Sequence, residues 1–318
     1  MANEIPIIDA HTHVHPTAAG FKEFMRLLAP QRAVENAGDL AEATGLMKRL
    51  GIRTSLILPW VFAQRVYAER LEAAGKPAGA DDEALKDKIA AEWSAYNDWA
   101  IATAKSHPGQ FGALCAIDPV LLGDKRTRAE IARCMPMGAI GLKVVPGFMN
   151  ARPNDPRMAV VWEEANRREV SVTAQCSGSL EGTAHPSYFE DVLRSYPKAR
   201  VVLAHMGLGG GEQVVAQLAS KYPNVYCDSS SWLGQVNRAT AGPVMPGSVS
   251  LTPQEAVELW RRIGTDRILY ASNYPLSDSE EFVTKLKSLP LKDEEKRQIY
   301  FENAQRVHKG LGVGVAVA

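Results

Sequence analysis

The sequence has no net charge, no disulfide framework and no long apolar run, and each absence removes a class of function. Its 36 lysines and arginines are matched by 36 aspartates and glutamates, so no basic excess marks a nucleic-acid or anionic-membrane surface. Four cysteines, at 115, 134, 176 and 227, are too few for a disulfide scaffold and lack CxxC or zinc-finger spacing. No apolar stretch approaches the about 20 residues that a membrane-crossing helix needs. The tail Gly310–Ala318 (GLGVGVAVA) is short and broken by glycine, and reads as a frayed end or an oligomer contact. The start, MANEIPIIDAHTH, carries an acidic residue where a secretory signal needs a basic region. A cytoplasmic protein without nucleic-acid or membrane partners is expected.

What is present is alternation. A length of 318 residues allows two domains of about 150 residues or one barrel of about 250. Eight short runs rich in Val, Ile, Leu or Ala occur: Ile5–Ala10, Arg53–Leu58, Phe111–Ile117, Ala139–Val145, Val170–Gln175, Arg200–His205, Asn224–Asp228 and Arg267–Ser272. They show little in–out alternation, as expected of parallel strands buried on both faces. Helical patterns separate them. In Asp82–Ser106, Leu85, Ile89, Trp93, Tyr96, Ala100 and Ala104 recur at three- and four-residue steps; an aspartate precedes them and His107-Pro108-Gly109 stops them. Eight βα units predict an α/β fold, a single (β/α)8 TIM barrel over residues 1–318, with an open doubly wound sheet as the alternative. Pro16–Asn36 and Pro59–Ala80 are longer than ordinary loops and would lie over the face that carries barrel active sites.

The first run ends in Asp9-Ala10-His11-Thr12-His13. Strand alternation puts Asp9, His11 and His13 on one face, with the two imidazoles about 7 Å apart along the strand. Neutral imidazole nitrogens suit zinc and similar ions. A bare HxH is a weak signal, but the C-terminal end of a barrel strand is where catalytic groups gather. His205 ends the sixth run in the same way and is expected to be functional rather than a satisfied core histidine.

The opening IDAHTHxHP, GLKV in the fourth run, VVLAHMG in the sixth, NVYCDSSS in the seventh, ILYASNYP in the eighth and the late ENAQRV together resemble the amidohydrolase superfamily. The nearest branch is the amidohydrolase-related, aminocarboxymuconate-semialdehyde decarboxylase-like group. The resemblance runs through nearly the whole chain in order. It implies a TIM barrel with one divalent metal, zinc or manganese, and an enzyme that hydrolyses, decarboxylates or hydrates small carboxylated or aromatic compounds. His11 and His13 match the two strand-1 metal ligands, and His205 the strand-6 histidine that polarises substrate or moves protons.

Two positions depart from the family pattern. Gln175 stands where the strand-5 ligand is normally histidine, and Asn273 where the strand-8 residue is normally aspartate. Amide oxygens are poorer zinc ligands than imidazole or carboxylate, and an asparagine cannot take a proton from water. The amides are read as natural in a repurposed site, or as near-isosteric replacements that trap an inactive complex. Asp228 is a candidate replacement base, and Lys143 a cation for a substrate carboxylate. Gln175 and Trp60 are candidate substrate contacts, and Asn273 is a candidate catalytic residue in a hydrogen-bonding role. His15, His185, Phe62, Phe148 and Trp232 are candidates for the rim. Three functions follow: hydrolysis or a related lyase step on a small organic carboxylate, lactone or cyclic carbonyl compound, with or without metal; metal-dependent decarboxylation of an aromatic or unsaturated acid; or an inactive barrel kept for binding. The resemblance and the apolar tail lean towards a homodimer.

Overall fold

The computed structural model of the protein describes residues 5–238 and 247–312; six of the nine residues of the apolar tail therefore lie outside the described residues. Nine parallel strand segments are β1 (Ile7–Thr12), β2 (Ile52–Ile57), β3 (Phe111–Ala113), β4 (Cys115–Ala116), β5 (Gly141–Val144), β6 (Ser171–Gln175), β7 (Arg200–Ala204), β8 (Val225–Asp228) and β9 (Ile268–Leu269). They form two ladders, β1-β2-β3 and β4-β5-β6-β7-β8-β9. β3 and β4 are halves of one strand, parted only at Leu114, whose N–H still reaches the Ile57 carbonyl at 3.1 Å. The eight anticipated strand positions are thus all occupied.

No regular ladder joins β9 back to β1. Single backbone bonds do: Ala10 N–H to Tyr270 O at 2.9 Å, Asn273 N–H to His11 O at 3.0 Å and His13 N–H to Tyr274 O at 2.7 Å. These bonds set residue 273 beside the HxH pair. Helices fill the intervals, and no described helix is long and apolar enough to cross a membrane. The architecture is an α/β barrel of the TIM type.

The helix boundaries follow local chemistry. Asp82 caps Glu83–Ser106 by accepting from Leu85 N–H at 3.1 Å, and Asp39 caps Leu40–Leu50, which Gly51 ends at φ 73°. Asp118 caps the helical segment Pro119–Met137, with proline well placed at its first turn, and Gly123 at φ 73° kinks it after that turn. The two long early segments are not loops throughout. Thr17 caps a helix over Ala18–Leu28 whose Phe21, Phe24, Met25 and Leu27 are buried, and a second helix spans Ala63–Ala73.

Strand side chains divide between two apolar clusters. Ile8, Ala10, Leu56, Leu58, Leu114, Val202 and Leu269 pack together; they come from strands of both ladders, so this cluster fills the barrel interior. Ile7, Ile57, Leu142, Val144, Val172, Val201 and Val225 belong to the larger cluster that receives the helices. Burial on both faces explains why the strands read as continuous apolar runs.

Candidate metal centre and active site

At the C-terminal ends of the strands, polar side chains replace the apolar filling. Asp9, His11, His13, Lys143 and Asp228 are all buried. The hydrogen bonds there fix which nitrogen of each imidazole carries a proton. His11 Nδ1 lies 2.9 Å from Asp228 Oδ2, and His13 Nδ1 lies 2.9 Å from the Leu58 carbonyl. Both partners only accept, so both Nδ1 atoms are protonated and both Nε2 atoms present lone pairs. These two lone-pair nitrogens stand 3.1 Å apart. Nothing but a shared cation or proton makes such an approach favourable.

Asp228 organises the opposite edge. Its Oδ1 accepts from the His205 N–H at 3.0 Å and the Ser230 N–H at 3.1 Å, and also from the Ser230 hydroxyl. Despite full burial, the His11 imidazole and the other donors hold this carboxyl below the usual carboxylate range. The Ser230 proton is committed to Asp228, so Ser230 Oγ only accepts, from His11 Nδ1 at 3.2 Å and His205 Nδ1 at 2.8 Å. His205 Nδ1 also reaches the Ser230 carbonyl at 3.0 Å. The His11 and His205 rings stack with centroids 5.2 Å apart and planes 28° from parallel. Because both turn their Nδ1 edges to Ser230, both Nε2 edges face the same way, away from it. Burial keeps all three imidazoles neutral: His11 is pushed down to about 3, and His13 and His205 are lowered.

Lys143, on β5, places Nζ 3.3 Å from His11 Nε2. Burial pulls its ammonium down to about 8, against the opposing attraction of Asp228. Asp9 has a different task. Its Oδ1 accepts from the His11 N–H at 3.3 Å and the Ser272 N–H at 2.9 Å, tying β1 to the segment after β9. Burial lifts its carboxyl to about 7.

The two departing amides behave differently from each other. Asn273 donates from Nδ2 to Ser231 Oγ at 2.8 Å, while its Oδ1 is buried without a partner. Gln175 turns Oε1 to the Gly147 N–H at 2.9 Å, so its oxygen is already engaged at the rim. His205, Asn273 and Ser231 have left-handed backbones, at φ 63°, 64° and 56°. Such conformations disfavour side chains other than glycine and concentrate at functional sites.

The residues present fit a divalent ion. Two imidazole nitrogens bound to one zinc-like ion at about 2.0–2.1 Å would be about 3.0–3.4 Å apart, the spacing His11 and His13 already have. The orphaned Asn273 Oδ1 is a further oxygen in need of a partner. His11, His205 and Asp228 also have potential ligand atoms within 4.8 Å of one another, although His11 Nδ1 is bonded to Asp228 and His205 Nδ1 to Ser230.

An aromatic wall stands next to His13. Trp60 and Phe24 lie 5.1 and 6.2 Å from its ring, and Trp60, Phe62 and Phe148 pack within 5.0 Å of each other. A cavity of about 340 Å³ on this wall is lined by His15, Phe24, Trp60, Phe62 and Tyr96. Trp232 does not join it: fully buried, it packs on Trp260 at 5.8 Å. His185 accepts the Ser187 N–H at the start of a short 3-10 helix. Ser230, the Leu58 carbonyl and Phe24 were not foreseen from sequence; the only trace is the hydroxyl run Ser229-Ser230-Ser231 after Asp228.

Residues 8–309 match the sequence profile of the family described as amidohydrolase. The chain belongs to the amidohydrolase family. No curated protein matches this amidohydrolase in sequence. Among solved structures it is similar to an uncharacterized TIM-barrel protein from Bordetella bronchiseptica (18% identity, covering 96% of this chain and 99% of the other, TM-score 0.69). It is also similar to 5-carboxyvanillate decarboxylase from Sphingomonas paucimobilis (12%, 96% and 99%, TM-score 0.65). A third is a dihydroxybenzoic acid decarboxylase from Polaromonas sp. JS666 with bound manganese and the inhibitor 2-nitroresorcinol (16%, 96% and 97%, TM-score 0.62). At these identities the likeness is one of fold. The family makes the protein an enzyme of hydrolase or lyase type.

Proposed function

We propose that this amidohydrolase hydrolyses a small cyclic or carboxylated carbonyl compound, a lactone being the simplest case. The observation that carries the reading is the tautomer set by Ser230: with Nδ1 donating to the Ser230 carbonyl at 3.0 Å, His205 keeps Nε2 as a lone pair. Hydrolysis needs a base, and no carboxylate of the cluster is free for that role. Asp228 is saturated with donors, Asp9 bonds two backbone amides and Asn273 has no basic site. His205 therefore takes the proton of the attacking water. The buried Lys143 ammonium binds an anionic oxygen of the substrate, its carboxylate or the oxyanion formed at the carbonyl. Trp60 packs on the ring or carbon frame.

His11 and His13 would hold a zinc or manganese ion through Nε2, with Asn273 Oδ1 as an added donor, and the bound ion would supply Lewis-acid polarisation of the carbonyl. A second reading, decarboxylation of an aromatic acid, draws on the aromatic wall and on the reactions named for two of the structural neighbours. That reaction needs an acid to protonate carbon, and Lys143, pushed down to about 8, is the acid at hand.

A panel of lactones and hydroxylated benzoates, assayed with manganese, with zinc and after chelation, separates the two. Lactone opening that falls about 10²–10⁴-fold in His205→Asn supports hydrolysis. Carbon dioxide release without lactone opening overturns it in favour of the lyase. Binding without turnover of either class leaves a barrel kept for recognition.

A further inference from the structure

A second cluster of ligand-type side chains lies on the outer face of the barrel wall. Cys115 of β4 belongs to the cluster that receives the helices, and helix Pro119–Met137 sets Glu130 and Cys134, one turn apart, against it. The two sulfurs and a Glu130 carboxylate oxygen all lie within 4.8 Å of one another. Both cysteines are fully buried. Cys134 donates its S–H to Glu130 Oε1 at 3.3 Å. Asn97 Nδ2 reaches Cys115 Sγ at 3.7 Å and Glu130 Oε1 at 2.8 Å. Arg133 binds Glu130 at 2.8 and 3.0 Å and lies 3.7 Å from Cys134 Sγ. A cavity of about 250 Å³ is lined by Ser94, Ala116, Glu130 and Arg133, so the carboxylate faces an opening and the sulfurs stand behind it.

We propose that Cys115, Cys134 and Glu130 form a second, buried metal site for a thiophilic divalent ion of the zinc and cadmium class. The ion replaces the proton now shared between Cys134 and Glu130 and lies between the three ligand atoms. Each thiol loses its proton to solvent, two S–M bonds and one O–M bond form, and no electron changes hands. Two thiolates, one carboxylate and a divalent ion leave one negative charge, which faces the Arg133 guanidinium that Asp98 also pairs with. Asn97 and Arg133 supply the outer hydrogen bonds that orient such ligands. Thiolates select soft ions over manganese and magnesium, so this site and the His11–His13 pair differ in the ions they prefer. Thiolates, not thiols, bind the ion, so binding must release protons and tighten as pH rises.

Cadmium titration of the chelator-treated full chain tests this. The expected result is an ultraviolet sulfur-to-cadmium charge-transfer band that saturates at one equivalent, with two protons released per ion. The band survives His11→Ala/His13→Ala, which leaves no imidazole pair, and is lost in Cys134→Ser. On the wild type, bound cadmium slows the alkylation of Cys115 and Cys134 that native-state opening allows and leaves the rates at Cys176 and Cys227 unchanged; this readout needs no variant to fold. Absence of the band, its persistence in Cys134→Ser, or shielding confined to Cys176 and Cys227 overturns the proposal.

Discussion

His11 Nε2 and His13 Nε2 face each other at 3.1 Å with both Nδ1 protons committed elsewhere. The pair is electrostatically incomplete, and Lys143 relieves only the His11 side. A metal ion would complete it, with an amide oxygen at position 273 where a carboxylate would add charge. Asn273→Asp should therefore strengthen manganese or zinc binding by about tenfold or more, since carboxylate oxygen is the better ligand for both ions. Calorimetric titration of the two proteins checks this. Equal affinities would mean that residue 273 does not reach the ion.

Asp228 fixes the imidazole tautomers through His11 and Ser230 without offering a free edge of its own. Asp228→Asn leaves the shape but removes the charge, so His11 loses its obligatory Nδ1 donor geometry and Lys143 loses its opposing anion. Removing such an orienting carboxylate typically lowers metal affinity by about 10–100-fold. Titration with manganese should show that loss while the circular dichroism of the barrel is retained. Unchanged affinity would assign Asp228 to the backbone of His205 alone.

Burial of neutral histidines makes stability depend on pH. In the metal-free chain His11 and His308 are held at about 3 and His15 at about 4, from 6.5. Between pH 6.5 and 4 the unfolded chain takes up protons that the folded one refuses, so stability falls as pH falls through that window. The effect approaches about 1.4 kcal/mol per pH unit for each histidine. Asp9 opposes it: its carboxyl is lifted from 3.8 to about 7, so the folded chain takes that proton first. His13, His185 and His205 are lowered as well, while burial raises a second carboxyl, Asp118, to about 6; six histidines against two carboxylates leave a net loss. Urea midpoints in chelator should drop from pH 7 to pH 5; a level or rising midpoint would refute the neutral assignment.

The strands were readable because both of their faces are buried: β5 has no exposed residue along Gly141–Val144, so Gly-Leu-Lys-Val reads as a core strand even with a lysine in it. Helix Glu83–Ser106 was readable from its apolar steps and the capping Asp82, which act locally. His11, His13, His205 and Asn273 were singled out because strand ends and family motifs mark them. Ser230 was not, since its role comes from β1 and β8 meeting across 217 residues of chain. The left-handed turns at His205 and Asn273 leave no compositional trace, as both residues are ordinary loop choices. Trp232 was placed at the rim by its position after the seventh run, but the chain folds its ring under Trp260 into the core.

Trp60 tests the aromatic wall. Its ring lies between His13 at 5.1 Å and Phe148 at 5.0 Å, so it borders both the imidazole pair and the 340 Å³ cavity that Phe24, Phe62 and Tyr96 help to line. Trp60→Ala removes this surface without touching Lys143, His205 or the tautomers set by Ser230. Aromatic pairs contribute about 0.5–1.5 kcal/mol each beyond burial, so loss of one such contact with substrate should raise KM roughly 2- to 12-fold. The proton transfer at His205 does not involve the indole, and kcat should stay within about twofold on that ground. Steady-state kinetics on the substrate identified by the lactone and benzoate panel measure both. A fall in kcat with KM unchanged would instead show that Trp60 holds His13 in register, and that substrate rests on another part of the mouth.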